Sequence, residues 1–359
     1  MRDRIAKWEA DSRARLAPEA AEFFAAGSGD ELSLAEASAA WDDWRFVPRV
    51  LRDVSQVDVT CELFGSKLKS PVVVAPMAYH ALAHPEGELA SAAGARQAGA
   101  LYVMATRATR PLEEVAAVAG RPWWFQVYVL RDRGLTRALV ERAVAAGAAA
   151  LMLTGDTPIV GPKPRASGPV PLTDAQYLVN LGLHLAGASG PAVQTATSQD
   201  PSVTEEVVSW LADLSGLPVL VKGVLRADDA RRCLDAGAAG LVVSNHGARQ
   251  LDGAIATAHA LSAVVGAVDG RAPVLVDGGI LDGRAVLKAL CLGASAVMVG
   301  RPVLWALAAG GAEAVEELLE GLRAELVESM MLAGARTIDE CDRSLVEWQW
   351  RYDRGGPPV

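Results

Sequence analysis

The stretch "GLVVSNHGARQLDG", Gly240 to Gly253, runs from an apolar, Val-rich segment straight into Ser244, Asn245, His246, Arg249 and Gln250. A short apolar run bounded by turn residues reads as a strand buried on both faces, the kind found in parallel sheets. Such a strand ends in a base and a cation only where its end opens on a site. The fold then turns on how many strands of this kind the chain holds.

Seven more can be read: "PVVVAPMA" from Pro71, "LYVMAT" from Leu101, "WWFQVYV" from Trp123, "AALMLTGD" from Ala149, "LPVLVKG" from Leu217, "APVLVDGG" from Ala272 and "ASAVMVG" from Ala294. Helix-like stretches such as "PEGELASAAGARQAGA", "RGLTRALVERAVAAGA", "ADDARRCLDAGAAG" and "GRAVLKALCLGA" lie between them. Several close on the glycine that commonly ends a helix. Eight strand–helix units predict a (β/α)8 TIM barrel, of the α/β class, rather than an open sheet. No GxGxxG follows the first strand, which argues against a dinucleotide fold.

The expected organisation is one domain over 1–359. It comprises an N-terminal helical extension over 1–70, a barrel over 71–310, a long loop after strand four over 157–201, and a C-terminal helical part over 311–359. Loops of that length in compact domains are usually functional.

Of the 359 residues, 51% are hydrophobic and 21% charged, a globular composition, and the formal charge of -9 argues against a nucleic-acid partner. Cys61, Cys233, Cys291 and Cys341 show no metal-like spacing and read as reduced thiols, which fits a cytoplasmic location. The charged N-terminus has no signal-like apolar run, and no segment reaches about 18 uncharged apolar residues. The expectation is a soluble protein with no membrane partner.

In a TIM barrel the chemistry sits at the C-terminal ends of the strands. Read there, strand three offers Gln126 and Tyr128, strand four Thr154 and Asp156, and strand five Lys222. Strand six offers Ser244, His246 and Arg249, strand seven Asp277, Gly278 and Gly279, and strand eight Gly300 and Arg301. Any one of these alone could be a surface group, but their convergence points to a site, because burying unpaired charge is costly. "DGG" and "GRP" have the character of a barrel phosphate site, where glycine admits a close backbone approach and a helix N-terminus with Arg301 supplies positive potential.

Taken together, "SNHGARQLD", "LPVLVKG", "FQVYV", "LTGDTP", "APMA", "HPEGE", "DGG" and "GRP" resemble the FMN-dependent α-hydroxy acid oxidase and dehydrogenase family, from about Phe23 to Arg343. The resemblance implies FMN as cofactor and oxidation of an (S)-2-hydroxy acid to the 2-keto acid, with electrons passing to oxygen or another acceptor. It implies His246 as the base, Asp156 as the carboxylate orienting it, Arg249 as the clamp on the substrate carboxylate, and Tyr128 as a phenol bonded to a substrate oxygen. Lys222 becomes the cation beside the flavin. Gln126 and Thr154 become its hydrogen-bonding partners, and Ala75, Pro76, Met77 and Ala78 the backbone it lies against. A homotetramer is also implied.

The chain departs from this family where substrate is read. Phe23 stands where a Tyr commonly contacts the substrate carboxylate, and "GPKPRASGP" replaces an Arg-rich stretch, leaving Lys163 and Arg165 as stand-ins. Leu281 and Asp282 follow "DGGI" where an Arg is typical. Arg107, at the end of strand two, is a cation where the family often has an apolar or aromatic residue. These departures predict a substrate larger or more apolar than glycolate, aromatic being one option. Oxidation of an amine or a biosynthetic intermediate on the same scaffold is the alternative. His84 reads as a loop contact, and His80, His184 and His259 have no role and no metal-ligand spacing.

Overall fold

The computed structural model describes residues 1–166, 168, 170–181 and 191–349. His184 and the end of the expected C-terminal part, 350–359, lie outside the described residues.

Eight parallel strands close into one ring in chain order. They are β1 (Val72–Val74), β2 (Leu101–Met104), β3 (Trp123–Val127), β4 (Ala150–Thr154), β5 (Val219–Val224), β6 (Gly240–Val243), β7 (Val274–Val276) and β8 (Ala296–Val299). Closure is made by β8 on β1, with Val297 opposite Val72 and Val299 opposite Val74. The strands are uniformly apolar because both faces are covered. Val73, Leu101, Trp124, Met152, Leu220, Val242, Leu275 and Met298 fill the interior. Their neighbours along each strand pack outward against the helices.

The outer ring comprises α1 (Glu88–Ala98), α2 (Leu112–Ala119), α3 (Arg133–Ala145), α4 (Glu206–Ser215), α5 (Ala227–Asp235), α6 (Thr257–Val268), α7 (Gly283–Cys291) and α8 (Arg301–Ala333). The caps follow local chemistry. Asp132 accepts from the amides of Gly134 and Leu135 to start α3, and Asp282 accepts from Ala285 N to start α7.

The extension is helical at first, over Arg2–Arg15, Pro18–Ala25 and Leu32–Glu36. It then supplies a hairpin, Cys61–Leu63 with Ser66–Leu68. Leu63 and Leu68 join the interior cluster, and the ring of Phe64 meets Trp124 at 5.6 Å, so the hairpin closes the lower mouth of the barrel.

The C-terminal part departs from its helical expectation. It is helical only to Ala333, and then returns as a strand, Val346–Trp348, antiparallel to Trp44–Phe46 of the extension. Trp44 and Trp348 cross edge to face at 4.9 Å, a three-residue pairing too short to leave a periodic signal in the sequence. All four cysteines are free thiols.

Candidate active site

A cavity of about 600 Å³ opens at the C-terminal ends of the strands, within the range of small-molecule sites. Five cations line it, Arg107, Lys163, Lys222, Arg249 and Arg301, against one carboxylate, Asp277. In a chain of net charge -9 this concentrates positive potential at one mouth and selects anions.

His246 sits in an unusual turn. It, Gly247 and Ala248 take φ of 60°, 62° and 61°, three consecutive left-handed residues. For a non-glycine residue that conformation costs roughly 1–2 kcal/mol. Local bonds hold it: Ser244 Oγ accepts from His246 N at 3.0 Å, and Asn245 Oδ1 accepts from Ala248 N at 3.1 Å. The turn aims the imidazole back over the cavity.

The ring is fixed at both nitrogens. Nδ1 lies 2.9 Å from Asp156 Oδ1, and Nε2 lies 3.3 Å from the Tyr128 hydroxyl. An ionised carboxylate only accepts, so Nδ1 carries the proton and Nε2 presents its lone pair beside Tyr128. Burial pushes the Asp156 carboxyl up, but the charge and hydrogen bond of His246, with Lys222 and Thr157, outweigh it and hold the group below its ordinary value. Asp156 therefore stays charged and orients the imidazole through Nδ1. Burial also raises the Tyr128 phenol, keeping it a neutral donor.

Space for Asp156 comes from Gly223. A Cβ there would stand 2.5 Å from Asp156 Cβ, and φ is +107°. The β5–β6 register shifts between Lys222 and Val224 at this point. Lys222 itself, two residues after the interior Leu220, faces inward by strand alternation, and the irregularity follows it. Lys222 Nζ donates to Ser244 Oγ at 2.7 Å and pairs with Asp277 at 3.2 Å. Burial disfavours its charge, but Asp277 and Asp156 more than compensate, and its pKa is raised.

Arg249 donates to the Ala26 carbonyl at 2.8 Å and lies 5.1 Å over the Phe23 ring, with no carboxylate partner among the described residues. Burial, then repulsion from Arg301, lowers its pKa to about 9. Arg301 is held by the carbonyls of Phe24, Gly247 and Ala26 at 2.9, 2.7 and 3.1 Å, and burial lowers it to about 10. Lys163 reaches the cavity and is lowered to about 8 by burial and by the charges of Arg249 and Arg301. These cations lack anions that the cavity has room to supply.

Among the other expected residues, Ala75 to Ala78, Gln126, Thr154, Asp277, Gly278, Gly279, Gly300, Phe23 and Arg107 all line the cavity. Gln126 Nε2 donates to Thr154 Oγ1 at 2.9 Å. Ser244 is different: fully buried and absent from the wall, it works from behind, joining Lys222 to the His246 backbone. Arg165 points away, pairing with Glu22 and Glu31 at 2.7 and 2.9 Å and fastening the long loop to the extension. Asp282 is spent on the α7 cap and on Arg2 and Arg284.

Sequence reasoning missed Tyr79 and Tyr177, which line the cavity with ring centroids 6.2 Å apart. It also missed Gln250, whose amide donates to the carbonyls of Asp156 and Ile159 at 3.0 and 2.9 Å and ties the β4 and β6 loops together. A long, polar side chain directly after the clamp was the available signal for Gln250; Tyr79 directly follows "APMA", and Tyr177 ends a short helix, Asp174–Tyr177, within the long loop.

The wall accommodates FMN. Asp277 Oδ1 is buried without a partner, an acceptor for a ribityl hydroxyl. Gly279, at φ +72°, leaves no room for any Cβ, which would fall 1.9 Å from the Ala37 carbonyl oxygen, so the backbone turns closely at the mouth beside the start of α8. That helix N-terminus with Arg301 suits a phosphate. Lys222, charged and buried, suits the ring edge where negative charge gathers on reduction. No group of three or more His, Cys, Asp or Glu among the described residues could hold a metal.

A barrel with a flavin cradle, a carboxylate-oriented histidine and a guanidinium beside it defines a flavin-dependent oxidoreductase. The model of the FMN-dependent dehydrogenase family matches residues 12–348, and the chain belongs to that family. FMN is thus its cofactor. Relatives include the L-lactate oxidase of Nostoc sp., 44% identical with 95% of this chain and 96% of the relative covered. The 4-hydroxymandelate oxidase of Amycolatopsis orientalis is 45% identical, covering 94% and 96%. A crystal structure of mandelate oxidase aligns at a TM-score of 0.87 with 44% identity over 96% and 97% of the two chains.

Proposed function

We propose that the protein oxidises an (S)-2-hydroxy acid to the 2-keto acid, with an aromatic side chain preferred and oxygen as electron acceptor. The observation that carries this is His246 held between Asp156 at Nδ1 and the Tyr128 hydroxyl at Nε2, with the anion-seeking Arg249 in the same cavity. Arg249 holds the substrate carboxylate, Tyr128 donates to a substrate oxygen, and His246 takes a proton as the alcohol becomes a carbonyl. Asp156 stabilises the imidazolium that results. Bound FMN supplies the chemistry of a two-electron acceptor.

Whichever of the hydroxyl and α-carbon protons His246 takes, the substrate gives up two electrons and two protons in all. Lys222 stabilises the negative charge this places near the flavin edge. Phe23, Tyr79 and Tyr177 give the cavity an aromatic side, which supports an aryl substituent and accounts for the lost hydroxyl at Phe23. The relatives' names are those of hydroxy acid oxidases, which supports oxygen as acceptor, and no observation favours the amine alternative.

The test is anaerobic bleaching of the flavin by a panel of 2-hydroxy acids, followed by admission of air. Mandelates are expected to bleach it faster than glycolate or lactate, and air to restore the colour within the turnover time. Faster bleaching by glycolate would overturn the aromatic assignment, and slow reoxidation the oxygen assignment. Among the described residues no helix is long and apolar enough to cross a membrane. The same reading places a homotetramer in the cytoplasm, supported by the likeness of the sequence to its family. Light scattering is expected to give about four times the 37.5 kDa chain mass, and a monomer mass would remove that part of the reading.

A further inference from the structure

Arg107 is buried, 8% exposed, and lines the same cavity as the base. Its guanidinium lies 5.2 Å over the ring of Tyr177, and Nη2 donates to the Thr197 carbonyl. Nη1 is buried with no hydrogen-bond partner, and no carboxylate among the described residues pairs with this charge. An unsatisfied buried guanidinium N–H is expensive to keep. Held in place by a ring and a carbonyl, the guanidinium is a fixed, undersatisfied donor group on the cavity wall.

Its position in the barrel decides what it aims at. Arg107 follows β2 and Arg249 follows β6, four strands apart in a ring of eight, so the two stand on opposite sides of the mouth. Tyr128, at the end of the neighbouring β3, feels the charges of both. Arg107 therefore does not share the carboxylate that Arg249 holds. It faces the other end of whatever lies between them.

We infer that Arg107 is a specificity residue that binds a second carboxylate at the end of the substrate distal to the reacting carbon. The inference rests on the 2-hydroxy acid reading and narrows it: the substrate is a 2-hydroxy acid whose side chain ends in an anion, such as an aryl ring carrying a para carboxylate. A phenol or carbonyl oxygen would accept from Nη1 but leave the buried charge uncompensated. A carboxylate does both.

The experiment compares flavin reduction in the holoenzyme by mandelate, 4-hydroxymandelate and 4-carboxymandelate, for the natural chain, Arg107→Met and Arg107→Lys. In the natural chain kcat/KM for 4-carboxymandelate is expected to exceed that for mandelate by about 10- to 100-fold, the effect of one hydrogen bond to a charged group. Arg107→Met brings the ratio near one, chiefly through KM for the dicarboxylate, and Arg107→Lys keeps part of it. A residue that merely pinned the loop would lower both substrates together and leave the ratio unchanged. That result, or a natural ratio at or below one, overturns the inference. Equal preference for 4-hydroxymandelate overturns the carboxylate. If the Met variant does not bind flavin, the natural and Lys ratios decide. If no acid bleaches the flavin, the underlying reading fails too; if mandelate does and the ratio is one, only this inference fails.

Discussion

Replacing His246 by Asn is expected to slow flavin reduction by substrate about 10²- to 10⁴-fold, the contribution of a positioned general base. Asn is the informative substitution because it tolerates the left-handed backbone that His246 adopts at φ 60°. The turn through Gly247 and Ala248 is therefore kept. What is lost is the lone pair at Nε2 and the charge partner of Asp156. Stopped-flow absorbance under anaerobic conditions reads the rate directly, and the flavin spectrum reports that the cofactor is still seated. A loss of less than tenfold with flavin bound would show that another group takes the proton.

Arg249→Met is expected to lower kcat/KM for any 2-hydroxy acid by about 30- to 3000-fold. Truncating one partner of a buried, hydrogen-bonded charge pair costs about 2–5 kcal/mol, and each 1.4 kcal/mol is tenfold. The structure makes the loss severe because Arg249 stands 5.1 Å over the Phe23 ring, and the carbonyl of Ala26 fixes its angle. Arg249→Lys restores charge but not the planar fork, so it should recover only part of the loss. Steady-state kinetics on both variants check this, and a Lys variant with full activity would mean that charge alone, not bidentate geometry, binds the acid.

Much of this was legible because a parallel barrel writes its architecture in one-dimensional form. Each strand is buried on both faces and so reads as an apolar run, and the barrel's own functional side chains lie at the C-terminal end of such a run or within a few residues after it. His246, Lys222, Asp156 and Tyr128 could be found by that rule alone. The roles of Phe23, Arg107 and Lys163 were flagged only as departures, since their meaning depends on which side of the mouth they occupy.

Other features were not legible, for physical reasons. The orientation of Ser244 depends on a turn whose dihedral angles no pattern encodes, so a residue expected on the wall proved to stand behind it. Gly223 looked like any strand glycine, yet it both shifts the β5 register and vacates the volume that Asp156 fills. Tyr79 and Tyr177 come together from segments separated by about a hundred positions, a closeness that only the closed ring creates.

The pairing of Trp44–Phe46 with Val346–Trp348 bears on how the molecule is made. During synthesis the ring can close once β8 has emerged, at Val299, but the strand that fastens the extension is translated almost fifty residues later. Phe24 and Ala26, whose carbonyls hold Arg249 and Arg301, belong to that extension. A nascent chain thus passes through a stage in which the barrel exists while the segment that steadies its two guanidiniums still lacks this anchor. The order of translation places the completion of the scaffold before the final fastening of its catalytic mouth.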